Sequence, residues 1–140
     1  MRERRPAGQT DGMDALADIH VGMTGEADVV VTPEITVGGH VPGMPMVYGT
    51  PFMILLMEIA SGRAIKAHLP EGFVSVGTHV DVRHLAPTPL GRRVVATSQV
   101  IEKTRTSVLF AVQAHDGARL IGEGKHRRGV VDGRGFGDSL

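Results

Sequence analysis

The chain has 140 residues, 41% of them hydrophobic, which suits one domain with its own core rather than a disordered segment. Lys+Arg and Asp+Glu number 15 each, so the formal net charge is zero, and the single Tyr and absent Trp leave little for base stacking; no nucleic-acid partner is expected. The absence of cysteine excludes disulfides, thiolate metal sites and a cysteine nucleophile.

Residues 1–22 read as a flexible N-terminal segment. Met1-Arg2-Glu3-Arg4-Arg5-Pro6 is basic but has no apolar run behind it, so it is not a secretory signal. No apolar stretch approaches the roughly 20 residues that span a bilayer, and a cytoplasmic protein without a membrane partner is expected. The domain proper is expected over 23–132. Glu26 to Thr32 is strand-like and closed by Pro33. Residues 34–49 are rich in Gly and Pro and read as a loop or lid over a binding site.

One strong helix follows, over about 51–68. Thr50 is a candidate N-cap, Pro51 fits the first helical position, and Pro70 and Gly72 end the segment. Its first half is apolar on nearly every side, as in a helix enclosed by other structure. Within Phe52 to Ala60 every residue but Glu58 is apolar. A carboxylate buried alone is costly, so a protein neutralises it, pairs it or uses it.

The periodicity then changes to two. Val74, Val76, Thr78, Val80 and Val82 share one side of a strand; Ser75, Gly77, His79, Asp81 and Arg83 share the other, with His84 at its end. Ala86 to Gly91 is a turn. Three more strands are expected over 92–102, 106–115 and 119–131, joined tightly at Lys103-Thr104-Arg105 and Asp116-Gly117 as an antiparallel meander. Residues 133–140 form a Gly-rich flexible tail.

A single sheet of about five antiparallel strands can bury this helix only by wrapping around it, which is the α+β hotdog arrangement. So small a sheet leaves an edge and an apolar face, predicting a homodimer or a dimer of dimers.

Three residues stand out chemically. Thr50 can be an ordinary cap, but a hydroxyl at a helix N-terminus also lies beside orphan N–H groups that stabilise an oxyanion. A Thr hydroxyl needs a base, and His84 is a candidate, although a rim histidine is the plainer reading. Glu58 is the third, with a bridge to an Arg as its plain alternative. No metal site is expected: His79 and Asp81 share a strand face that His84 does not, and no helical His pair exists. Gly122 to His126 lies within a strand and is not a phosphate-binding loop. Lys125, Arg127 and Arg128 can meet a phosphate or be a solvated strand end.

The run Val47-Tyr48-Gly49-Thr50-Pro51-Phe52-Met53-Ile54-Leu55-Leu56-Met57-Glu58-Ile59-Ala60 resembles the helix motif of the hotdog thioesterases of the fluoroacetyl-CoA thioesterase type. The resemblance continues through Gly77-Thr78, His84 with Ala86 and Thr88-Pro89, Ala114-His115-Asp116-Gly117, and Ile121-Gly122, Gly124, His126 and Arg128. It implies that Thr50, Glu58 and His84 are catalytic and that Gly77 and Arg128 bind the thioester or coenzyme A. It also implies a homodimer with two sites at the subunit interface that hydrolyses an acyl-CoA substrate without a cofactor. The family's fluorine-selective lid carries aromatic residues, whereas His40-Val41-Pro42-Gly43-Met44-Pro45 has no Phe, and Pro51 replaces a Gly. A general short or medium acyl-CoA is therefore expected rather than fluoroacetyl selectivity. Two rivals remain. A non-catalytic acyl-CoA-binding hotdog protein would have the same fold and lid. An enoyl-thioester hydratase or dehydratase would pair Asp and His near an Asn-Pro motif, and this chain has no Asn.

Overall fold

The computed structural model describes residues 14–137. Strand β1 (Thr24–Val30) leads through the lid into helix α1 (Thr50–Ile65), followed by β2 (Phe73–His84), β3 (Arg93–Lys103), β4 (Ser107–Asp116) and β5 (Arg119–Asp132). The five strands form one sheet in the order β1-β3-β4-β5-β2, every neighbouring pair antiparallel. This is the hotdog arrangement: an antiparallel sheet curled around one central helix.

The period of two in β3 and β4 decides which face meets the helix. Val94, Ala96 and Val100, with Val108, Phe110, Val112 and Ala114, are buried inward. They pack against Met53, Leu56, Met57, Ala60, Ala64 and Ile65 of α1. Full burial of each larger side chain is worth about 1.5–3 kcal/mol. Helix and sheet touch almost backbone to backbone at β1, where a Cβ on Gly25 would lie 2.1 Å from the Ala60 carbonyl oxygen. The buried hydroxyls there are satisfied: Ser61 donates to the Met57 carbonyl at 2.8 Å and Ser98 to the Ala60 carbonyl at 3.0 Å.

Three expectations change. Thr50 is not the N-cap; Gly49 is, its carbonyl accepting from the Phe52 and Met53 amides at 3.0 and 3.1 Å, and Thr50 begins the helix. The helix is not enclosed on all sides within one chain, since Leu55 and Ile59 are 51% and 39% exposed. Strand β2 does not bury one face cleanly, because it is one of the two edges of the sheet, α1 packs chiefly on β1 and β3, and a register shift between Gly77 and His79 breaks its alternation. Of the expected N-terminal segment, residues 1–13 lie outside the described residues. Residues 14–22 turn back on themselves and seat Ala15, Leu16 and Ile19 in the core, with the Lys103 ammonium donating to the Leu16 carbonyl at 2.8 Å. No helix among the described residues is long and apolar enough to cross a membrane.

Candidate active site

The start of α1 is pinned from several directions. Tyr48, fully buried, donates its hydroxyl to the Phe52 carbonyl at 3.0 Å, and its amide donates to the Thr88 carbonyl at 2.8 Å. The Gly49 amide reaches the Ile35 carbonyl at 2.9 Å. His84 ends β2, and the next amide, of Leu85, is held by the Ile121 carbonyl at 2.7 Å. These constraints bring the helix start and the strand end together: Thr50 Oγ1 lies 2.8 Å from His84 Nδ1. The Thr50 hydroxyl makes no capping bond, so this pairing does not compete with the helix.

Burial pushes the His84 pKa below the usual imidazole value, against a weaker upward pull from the backbone at Ala86. The ring is therefore neutral near pH 7, and Nδ1 can accept the Thr50 proton. Its other nitrogen, Nε2, is buried without a hydrogen-bond partner. A cavity of about 310 Å³ opens beside the pair, with Val37 and Val47 of the lid on one side and Leu85 and Pro87 on the other. A larger depression, of about 840 Å³, lies across all five strands on the outer sheet face, among Glu26, Asp81, Arg83, Glu123 and Lys125. It holds no histidine and lies away from Thr50, so of these two cavities it is the smaller one that meets the Thr50–His84 pair.

Glu58 occupies a different place. It lies eight residues along the helix from Thr50, about 12 Å at 1.5 Å per residue. Its side chain is 34% exposed and Oε2 lies 3.5 Å from Arg128 Nη1, which is the bridge to an Arg that the sequence offered as the plain alternative. Gly77 leaves room for it: a Cβ there would meet Glu58 Oε2 at 2.5 Å and His126 Cε1 at 3.1 Å. Within one chain, then, Thr50 and His84 are brought together, Glu58, Gly77 and Arg128 are brought together, and the two groups stand apart.

Arg128 is only 12% exposed. Its Nε donates to Ser75 Oγ at 2.9 Å and Nη2 to the Ser75 carbonyl at 2.8 Å. Its Nη1 faces the Glu58 carboxylate. Sequence reasoning missed Ser75, which announces itself only once β2 and β5 are in register, and gave His126 no role.

The profile of the fluoroacetyl-CoA-specific thioesterase family matches residues 31–134. The chain belongs to this family. The fluoroacetyl-CoA thioesterase of Streptantibioticus cattleyicolor is 37% identical over 119 residues, covering 81% of this chain and 86% of that protein. A solved structure of fluoroacetyl-CoA thioesterase aligns with a TM-score of 0.80 at 35% identity, covering 86% of this chain and 94% of the other. A hot-dog-like protein from Thermanaerovibrio acidaminovorans aligns with a TM-score of 0.81 at 27% identity, over 91% and 94% of the two chains. The family profile spans Thr50, Glu58, Gly77, His84 and Arg128 alike.

Proposed function

We propose that the protein hydrolyses an acyl-CoA to the free acid and CoA, with the Thr50–His84 pair at the centre of the reaction. The observation that carries this reading is the 2.8 Å contact between a hydroxyl free of capping duty and a neutral imidazole. As Oγ1 attacks the thioester carbonyl carbon, His84 Nδ1 takes its proton. The C–S bond breaks, the proton passes from His84 to the departing thiolate, and water hydrolyses the remaining ester to the free acid. Charge that develops on the carbonyl oxygen lies at the start of α1, the positive end of the helix dipole.

Glu58 is too far along its own helix to serve its own Thr50. A second copy resolves this. Leu55 and Ile59, on either side of Glu58 in α1, and Val80 on the edge strand β2 leave apolar surface exposed. Two copies joined there by a two-fold axis cover that surface, and the axis sets Glu58 of each helix toward the Thr50 end of the other. The carboxylate then helps activate the hydrolytic water, and Arg128 holds it in place. Family membership supports the acyl-CoA substrate, and the exposed apolar face of α1 supports the homodimer.

The substrate is a short or medium acyl-CoA. The lid segment His40 to Pro45 offers exposed Val41 and Met44 instead of a phenylalanine, and the unbranched Met44 side chain adapts to more than one acyl group. The experiment is steady-state hydrolysis of an acyl-CoA panel with thiol detection, acetyl-CoA and fluoroacetyl-CoA side by side. Thiol release is expected on at least one short-chain member. Calorimetric binding without thiol release would replace this reading with a non-catalytic acyl-CoA-binding protein.

A further inference from the structure

His126 is 1% exposed, the most deeply buried histidine near the Glu58 carboxylate, and the reaction as described does not use it. It sits on β5 between Phe110 of β4, against which its ring stacks at 6.4 Å, and Val80 of β2. Its two nitrogens meet partners that leave no choice of tautomer. Nδ1 lies 2.8 Å from the His79 carbonyl oxygen, which can only accept, so Nδ1 carries the proton. Nε2 lies 3.3 Å from Arg128 Nη1, which can only donate, so Nε2 presents its lone pair. A second proton on the ring would point at a guanidinium. Burial, the Arg128 charge and the His79 side chain all hold the His126 pKa below the usual imidazole value, against the His79 carbonyl and Glu58.

The same Nη1 that donates to His126 faces Glu58 Oε2 at 3.5 Å, while Ser75 holds the other edge of the guanidinium through Nε and Nη2. Ser75 fixes the plane of the guanidinium, and His126 fixes its free end. From this chain of one-way contacts we infer that neutral His126 is a positioning residue for hydrolysis: the His79 carbonyl sets its tautomer, its Nε2 steers Arg128, and Arg128 steers Glu58. This inference rests on the assignment of Glu58 to the reaction. It makes a different claim, that a buried residue which touches no substrate governs how the carboxylate is aimed.

Two isosteric substitutions separate positioning from packing. His126→Asn keeps a donor at the Nδ1 position and loses the acceptor for Arg128. His126→Gln keeps an acceptor at the Nε2 position and loses the donor. On positioning, His126→Asn lowers kcat by about 10²-fold with KM little changed, the scale of a misaimed group, and His126→Gln restores most of the rate. Combined with Glu58→Gln, His126→Asn costs nothing further, because its effect runs through the carboxylate. Thermal unfolding of each variant corrects the rates for folded fraction. A wholly structural role gives equal kcat per folded molecule in both variants, or losses that add to that of Glu58→Gln, and either result overturns the inference. If Glu58→Gln keeps full rate, the assignment of Glu58 fails and the inference with it; if Glu58→Gln is slow while His126→Asn is not, only the inference fails. A ¹⁵N spectrum of the unsubstituted protein tests the same point without any variant. It should show His126 protonated at Nδ1 and bare at Nε2, and a proton on Nε2 would overturn the inference because Arg128 could not then donate to it.

Discussion

Thr50 Oγ1 and His84 Nδ1 stand 2.8 Å apart across 34 residues of sequence, one at the first position of the central helix and the other at the last position of β2. The helix is capped without Thr50, by the Gly49 carbonyl. A hydroxyl released from a local role and held against a neutral imidazole is an arrangement for proton transfer.

Thr50→Ala and His84→Ala should each lower kcat by about 10²–10⁴-fold, the usual weight of positioned acid–base chemistry. Thr50→Ala should change unfolding free energy by less than about 0.5 kcal/mol, as expected of an exposed side chain outside a cap. A capping Thr would cost about 1 kcal/mol. Parallel rate and denaturant-unfolding measurements distinguish the two roles.

The pH profile follows from the depressed pKa values. With His84 as the proposed base its neutral form is the active one, so kcat/KM should rise with pH through a midpoint below 6.5 and then level off. Stability has the same sign. His84 and His126 both bind protons less readily folded than unfolded, so their contribution is present above pH 6.5 and is lost as pH falls from there through the depressed folded values. A kcat/KM midpoint above 6.5 would contradict the assignment of His84 as base.

Gly77→Ala places a Cβ 2.5 Å from Glu58 Oε2. The nearest obstacle is the end of a flexible side chain, so the carboxylate moves, while the buried His126 ring, whose Cε1 would be 3.1 Å away, has only to give slightly. We expect kcat to fall by about 10²-fold while the melting temperature changes little. A variant with wild-type kcat would show that the position of Glu58 does not matter.

Much of this was readable from the sequence, and the failures have physical causes. The two hairpins are legible because tight polar turns interrupt strict alternation, and Gly117 indeed adopts a positive φ of 62°. The helix start reads one residue late because Thr-Pro is a common cap and first-position pair, whereas the lid bond from Gly49 to Ile35 sets the cap here. Leu55 and Ile59 look like core because apolar residues on a helix read alike whether the fold buries that face or leaves it exposed. The contact of Arg128 with Glu58 is not legible in the sequence, because it depends on the pairing of Gly77 with Arg128 across β2 and β5.

Leu55→Lys should separate the proposed dimer, since it puts a charge at the centre of the uncovered helix face. Light scattering should report a monomer, and hydrolysis should fall with it although Thr50 and His84 are untouched. An active monomer would show that one chain contains the whole site.

The most direct test of a shared catalytic centre is complementation between two inactive variants, Thr50→Ala and Glu58→Gln, unfolded together and refolded as a mixture. In a mixed dimer one site carries both defects and the other carries neither. With half the dimers mixed, hydrolysis should recover to about a quarter of the wild-type rate. A mixture as inactive as either variant alone would contradict a site built from Thr50 and His84 of one chain and Glu58 of its partner.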